Sequence, residues 1–260
     1  ACGQNNQRNR HDAPFNSMPP VLPRITGTAS PRWFTEGYNM RTVVFDLDGT
    51  LADTAADLIE AANACFIARG IGPVLHVDQD ALIAFHGGRA MLRTGYSRVE
   101  LPDIEALVEA DYPALLRHYG ENIDVHTRVY PGVFEALETL KAQGYALSIC
   151  TNKPEGLAQV LTARLGLRHH FGALIGADTL PTRKPDPAPY IAAVEAVGGT
   201  VARSILIGDT KTDRETARAC GVASVLVTFG PEGRTIERLA PEALLEHYDD
   251  LPALVARLLG

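Results

Sequence analysis

The sequence predicts an α/β protein, a parallel sheet with helices on both faces that is interrupted near its start by a long helical insertion. Three observations carry this. From Val133 onward, apolar runs of strand length alternate with segments of helical length and period. The strand candidates are apolar on both faces, which suits a sheet covered by helices on each side rather than one with a wet face. Between about Ala55 and Val129 the pattern is helical throughout, with no strand of consequence.

Taken in order, residues 1–39 are rich in Asn, Gln, Arg and Pro, lack hydrophobic periodicity and include Pro19-Pro20 and Ser30-Pro31. They are expected to be a largely disordered N-terminal extension, and with no apolar h-region they do not read as a signal peptide. Met40 stands just before the first strand, so the native chain is expected to begin there, with a docking tail as the alternative. The first strand is Thr42 to Asp46. Thr54-Ala55-Ala56-Asp57 then has the shape of a capping box, and Leu58, Ala62, Cys65 and Phe66 recur at helical spacing until Arg69-Gly70 stops the helix. From Asp78 to Tyr119 three or four more helices are expected, broken by Gly87-Gly88, Gly95, Pro102 and Pro113.

After Tyr130-Pro131-Gly132 the reading is a helix from Val133 to Gln143, a strand from Tyr145 to Cys150 and a helix from Pro154 to Leu165. A short strand from Ala173 to Gly176 and a helix from Pro187 to Val197 follow. A strand from Ser204 to Ile207, a helix from Thr212 to Cys220 and a strand from Ala223 to Thr228 complete the series. The core is therefore expected over 40–54 and 130–260, with the helical insertion over 55–129.

At 260 residues the chain can bury a full core as one domain or two. The net charge of −7 and the absence of any Lys/Arg run argue against nucleic acid or an anionic membrane as a main partner. A small anionic substrate would instead need a local positive site. No apolar stretch approaches the roughly 18 residues of a transmembrane helix. Cys2, Cys65, Cys150 and Cys220 are far apart with no Cys-x-x-Cys pairing, so the last three read as small core residues in a reducing, cytoplasmic setting. A reactive thiol at Cys150 is the alternative. The chain is expected to be a monomer or a homodimer.

Right-handed crossovers put all the strand C-terminal ends on one side of such a sheet, the side where ligands bind. Four polar clusters fall there: Asp46-Leu47-Asp48-Gly49-Thr50, Thr151-Asn152-Lys153, Lys184-Pro185-Asp186-Pro187 and Gly208-Asp209-Thr210-Lys211-Thr212-Asp213. Burying carboxylates at the end of a hydrophobic strand costs several kcal/mol unless a cation or proton compensates them. Asp46, Asp48 and Asp209 would crowd one another without a cation, and a hard divalent ion such as Mg²⁺ resolves this while accepting a substrate phosphate oxygen. Lys184 and the donors around Thr151 would then hold a phosphate dianion. One carboxylate can attack phosphorus in line, and a second, two residues on, can protonate the leaving oxygen and later activate water.

Each cluster alone has a plainer reading. Asp48-Gly49 is a common turn pair, Lys184-Pro185 a surface loop, Asp209 a helix cap, and Asp213 a solvated charge on the same helical face. Their joint occurrence, in order and each at a strand end, favours chemistry.

The segment Asp46-Leu47-Asp48-Gly49-Thr50-Leu51-Ala52-Asp53 resembles the first motif of the haloacid-dehalogenase-like hydrolases. Thr151, Lys184 and the run from Gly208-Asp209 to Asp213 resemble the second, third and fourth. Thr54-Ala55-Ala56-Asp57-Leu58, Thr151 to Glu155, and Leu180-Pro181 with Arg183 to Pro189 are similar to phosphoglycolate phosphatases, and the likeness covers about Arg41 to Gly230. The resemblance implies a Rossmann-like α/β core with a helical cap inserted after the first strand.

It also implies roles. Asp46 would be the nucleophile, Asp48 the general acid/base whose backbone carbonyl also touches the metal, and Asp209 the remaining protein metal ligand. Asp213 would be a second ligand or a partner through water. Gly49, Thr151 and Asn152 would lie at the phosphate, and Lys184 would neutralise phosphate and nucleophile together. His86-Gly87-Gly88-Arg89 is the candidate cap loop, in which two glycines let the backbone approach a ligand and Arg89 could pair with a substrate carboxylate. His86 departs from the Gly-x-Gly that phosphoglycolate phosphatases usually carry there.

The leading expectation is a Mg²⁺-dependent phosphomonoesterase acting on 2-phosphoglycolate. A phosphatase for pyrophosphate, a sugar phosphate or a nucleotide, and a phosphomutase, fit the same core. A dehalogenase fits less well, because halide departure needs no proton and leaves Asp48 without a task. A receiver module holding a lasting phospho-aspartate, and a non-catalytic binding protein, are the non-enzymatic alternatives.

Overall fold

A computed structural model of the protein describes residues 40–260; the expectations for residues 1–39, including Cys2, fall outside these. The core is a six-stranded sheet built from β1 (Met40–Phe45), β4 (Ala146–Cys150), β5 (Ala173–Ile175), β6 (Gly199–Gly208), β7 (Ala223–Val227) and β8 (Ala243–Leu245). Its order is β5-β4-β1-β6-β7-β8, and every neighbouring pair is parallel. The first strand therefore lies in the middle, between β4 and β6. There the strand order reverses, the place where a doubly wound sheet opens a crevice beyond its strand ends.

Alternation along β1 divides its side chains between the two faces. Val44 joins Cys150 and Leu206 in a cluster with Tyr190, Ala193 and Val194 of α7 (Pro187–Glu195) and Ala217 of α8 (Lys211–Cys220). Val43 and Phe45 belong to the larger cluster on the other face, with α5 (Val133–Ala142), α6 (Glu155–Arg164) and α9 (Leu251–Leu259). Burial of both faces explains why the strands read as continuous apolar runs.

Between β2 (Ala52–Asp53) and β3 (Arg128–Val129) the chain makes four helices: α1 (Ala55–Ala68), α2 (Val77–Ala84), α3 (Gly88–Arg98) and α4 (Ile104–Glu121). β2 and β3 pair antiparallel, so the insertion leaves and returns through one short ribbon. Three sequence expectations need correction here. Thr54 and Asp57 do not form a capping box: Thr54 makes no side-chain cap, and Asp57 accepts hydrogen bonds from His126 N, Thr127 N and Thr127 Oγ1, tying exit to entry. Gly95 does not break a helix but lies within α3, where a Cβ would run into the Phe66 ring that packs edge-on against Tyr96. Pro113 is likewise inside α4 rather than at its end.

Residues beyond Gly230 add a sheet-edge strand, β8, and α9. They also supply Tyr248, fully buried, whose hydroxyl donates to the Thr50 carbonyl 2.8 Å away and braces the loop after β1. Among the described residues no helix is long and apolar enough to cross a membrane.

Candidate active site

The loop after β1 is locked by its own backbone. Asp46 N still bonds to Ile207 O of β6 (2.9 Å), Leu51 N donates to Leu47 O and Gly49 N to Ala52 O, both 2.9 Å. The turn needs a positive φ at Gly49 (77°), and a Cβ there would collide with the Asp209 carboxylate. Gly49, expected at the phosphate, is not among the residues lining the cavity; its service is to let Asp209 approach.

Behind this loop three buried carboxylates, Asp46, Asp209 and Asp213, place an oxygen each within 4.8 Å of one another. One ammonium serves them: Lys184 Nζ lies 3.0 Å from Asp46 Oδ2 and 2.6 Å from Asp213 Oδ1. Asp213 Oδ2 accepts from Thr210 Oγ1 (2.7 Å), Thr210 N (3.1 Å) and Asp209 N (3.3 Å), so this side chain also caps the start of α8. Asp209 Oδ1 accepts from Thr50 Oγ1 at 3.0 Å, while its Oδ2 is buried with no partner. A buried carboxylate oxygen without a donor is costly. Its presence beside two more carboxylates makes this group a fit for a divalent cation held by oxygen.

The electrostatics agree. Burial pushes the Asp46 carboxyl up to about 6, against the opposing pull of Lys184. Burial, then Asp213 and Asp46, drives Asp209 well above the ordinary carboxylate range. Burial alone would lower Lys184, but Asp213 and Asp46 outweigh it and hold the ammonium charged. Three carboxylates with one cation are short of positive charge, a deficit that a divalent ion could make up.

Asp48, two residues after Asp46, is outside this group. Its two oxygens accept from Lys153 Nζ at 2.9 and 3.1 Å, and the same ammonium donates to Tyr119 Oη of α4 at 2.7 Å. From the sequence Lys153 falls within the second strand-end cluster but is given no role there, and Tyr119 is not among the candidates at all. Lys153 carried a signal, a basic residue just after Thr151 at a strand end; Tyr119 carried none, since a buried aromatic on a helix reads as core.

Thr151 continues β4, its N bonded to Ile175 O, and its Oγ1 accepts from Lys153 N at 3.2 Å. Asn152 Nδ2 donates to Lys184 O at 3.0 Å, joining the second and third clusters. Burial pushes the Cys150 thiol up to about 12, in keeping with a packed core residue. Cys65, Cys150 and Cys220 are all unpaired.

A cavity of about 530 Å³ opens above these groups. Asp46, Asp48, Thr151, Asn152, Lys153 and Lys184 line its floor, and His86 to Arg89, Tyr112 and Tyr119 of the insertion line the opposite side. The sequence-predicted loop thus faces the strand-end clusters. Arg89 is already engaged: it forms two hydrogen bonds to Glu109, at 2.7 and 3.0 Å, and lies 3.6 Å over the centre of the Tyr112 ring.

A parallel sheet whose central strand ends in two carboxylates, beneath a cavity lined on the far side by inserted helices, sets out an α/β protein with a candidate active site at its strand ends. Comparison with known proteins gives the family. The model of the haloacid dehalogenase-like hydrolases matches residues 43–227. A phosphoglycolate phosphatase of Mesorhizobium japonicum is 38% identical over 223 residues, 84% of this chain and 95% of its own. One from Agrobacterium fabrum is 38% identical over 218 residues, 84% of this chain and 93% of its own. A crystal structure from Haemophilus somnus 129pt, described as a predicted phosphoglycolate phosphatase, superposes with a TM-score of 0.72 at 27% identity, covering 83% of this chain and 97% of that one. The chain belongs to the haloacid dehalogenase-like hydrolase family.

Proposed function

We propose that this protein is a phosphoric monoester hydrolase that converts 2-phosphoglycolate to glycolate and phosphate through an aspartyl-phosphate on Asp46. The observation that carries the reaction is the cluster of three buried carboxylates with a single ammonium and an orphaned Asp209 oxygen, directly beneath a cavity floored by Asp46 and Asp48. The substrate follows from the names of the relatives, each of which this chain covers almost end to end.

In this reading Asp46 attacks phosphorus in line, and its oxygen bonds to phosphorus as the bond to the glycolate oxygen breaks. Asp48 gives a proton to that departing oxygen and later takes one from the water that hydrolyses the intermediate. Lys184 holds Asp46 and offsets charge on the transferring group, with Thr151 and Asn152 at the phosphate. Asp46, Asp209 and the Asp48 backbone carbonyl would hold Mg²⁺, which when bound supplies neutralising charge for the phosphate oxygens. Asp213, with its oxygens committed to Lys184 and the α8 loop, would act from behind them.

Residues 55–129 would form the cap, over a core of 40–54 and 130–260. Arg89 would read the substrate carboxylate by exchanging it for Glu109. That exchange is cheap, because an ion pair this exposed contributes only about 0–1 kcal/mol. His86 would line the same wall. Unpaired cysteines support a reducing, cytoplasmic setting.

The deciding experiment is kcat/KM with Mg²⁺ across 2-phosphoglycolate, pyrophosphate, sugar phosphates and nucleotides. Phosphoglycolate should lead, and EDTA should stop turnover. A higher value for any other member of the series would replace the substrate.

A further inference from the structure

We propose that Lys153 and Tyr119 are a positioning pair: when one Asp48 oxygen trades its bond from Lys153 for a proton, the other stays held by the ammonium, so that proton is aimed at the leaving oxygen, and the step is tied to the seating of α4 over the crevice. The inference rests on the phosphatase reading above and assigns work to two residues to which the sequence reading gave none.

The geometry is closed around one ammonium. An ammonium has three N–H donors, and Lys153 Nζ has three acceptor oxygens in reach: both of Asp48, at 2.9 and 3.1 Å, and Tyr119 Oη at 2.7 Å. It also lies 4.3 Å from the centre of the Tyr119 ring. The Lys153 side chain is 3% exposed and Tyr119 is 1% exposed, so the ammonium and its phenol partner are dry, while Asp48, 18% exposed, reaches the cavity. A buried ammonium that lost Asp48 would be left uncompensated, at a cost large enough to hold the pair together. Asp48 is therefore not free to sample its side-chain torsions independently; its orientation follows Lys153.

Lys153 in turn is anchored from both sides of the cavity. It stands in the loop after β4, while Tyr119 belongs to α4 of the insertion. A displacement of α4 moves the Tyr119 hydroxyl, and with it one of the three acceptors that fix the ammonium. Seating of the insertion and aim of Asp48 are thus linked through one hydrogen bond between the two halves of the site. Productive proton transfer needs the donor within hydrogen-bond reach of the departing oxygen, so a loosened Asp48 costs rate where a proton is required.

That condition supplies the test. With a covalent intermediate, kcat/KM reports only the events up to departure of the leaving group. Glycolate leaves as a strongly basic alkoxide that needs a proton, whereas p-nitrophenolate leaves without one. Tyr119→Phe, which keeps the ring and removes the hydroxyl, should lower kcat/KM for 2-phosphoglycolate about tenfold and for p-nitrophenyl phosphate less than about twofold. Lys153→Met should deepen the same asymmetry, and Lys153→Arg, which keeps the charge, should show less of it than Lys153→Met; thermal melts show whether each variant is folded.

Asp48→Asn is the control and should show the asymmetry most strongly. Parallel losses on both substrates in Tyr119→Phe, or no loss on either, overturn the positioning pair when Asp48→Asn retains its asymmetry. An Asp48→Asn variant without asymmetry overturns the acid role itself, and this inference with it.

Discussion

Lys184 and Arg89 line opposite sides of one cavity, and the protein holds each of them, with its partner, in opposite ways. At the strand ends Lys184 and Asp213 are 1% and 0% exposed, pinned by several partners each. On the insertion Arg89 and Glu109 are 43% and 60% exposed and meet across a surface pair. The first set is dry, so its interactions are strong and its vacancies costly. The second is wet, so its partners exchange at little cost. One pair is held rigidly in a dry interior, and the other can exchange partners with solvent or solute at little cost.

The contrast can be broken first at its buried end. Asp46→Asn should reduce turnover at least about 1,000-fold with an unchanged or raised melting temperature, since one of three crowded carboxylates loses its charge. Near-normal turnover in that variant would remove the covalent mechanism. Lys184→Met should cost about 3–5 kcal/mol in urea unfolding, because it leaves Asp46 and Asp213 without their buried cation. A loss below about 1 kcal/mol would show that the carboxylates do not depend on it.

Cation binding sharpens the same side. Mg²⁺ at about 100 times its dissociation constant should stabilise the fold by about 2.7 kcal/mol, read as a rise in melting temperature that EDTA reverses. Asp209→Asn should abolish the rise; an undiminished rise would place the ion elsewhere. At the exposed end, Arg89→Ala should change stability by less than about 1 kcal/mol. It should still raise KM for 2-phosphoglycolate about tenfold, with little effect on p-nitrophenyl phosphate, if a carboxylate contact of about 1.4 kcal/mol is lost. Equal changes on both substrates would end the carboxylate-reading role.

Particular residues show where the sequence was legible. β1, β4 and β7 lie where their apolar runs place them, because a strand buried on both faces has little choice of residue type. Gly95 and Pro113 misled, because helix-breaking tendencies of about 1 to 3 kcal/mol yield to packing. Gly95 is kept by the Phe66 ring it must clear, a reason that lies 29 positions away in the chain. Thr54 and Asp57 satisfied a local pattern, yet Asp57 found three better donors at His126 and Thr127.

By itself the sequence determined the alternation of strand and helix, the four acidic and basic clusters at the strand ends, and the family they mark. Those features follow from short-range spacing and from the cost of carboxylates next to apolar strands. Only the tertiary structure decided that Asp209 keeps an unpartnered oxygen, that Gly49 makes room for it, that Arg89 is held by Glu109, and that Lys153 joins Asp48 to Tyr119. Each of these depends on which distant residues share a dry space, and burial multiplies the strength of a charge interaction in a way that no local pattern records.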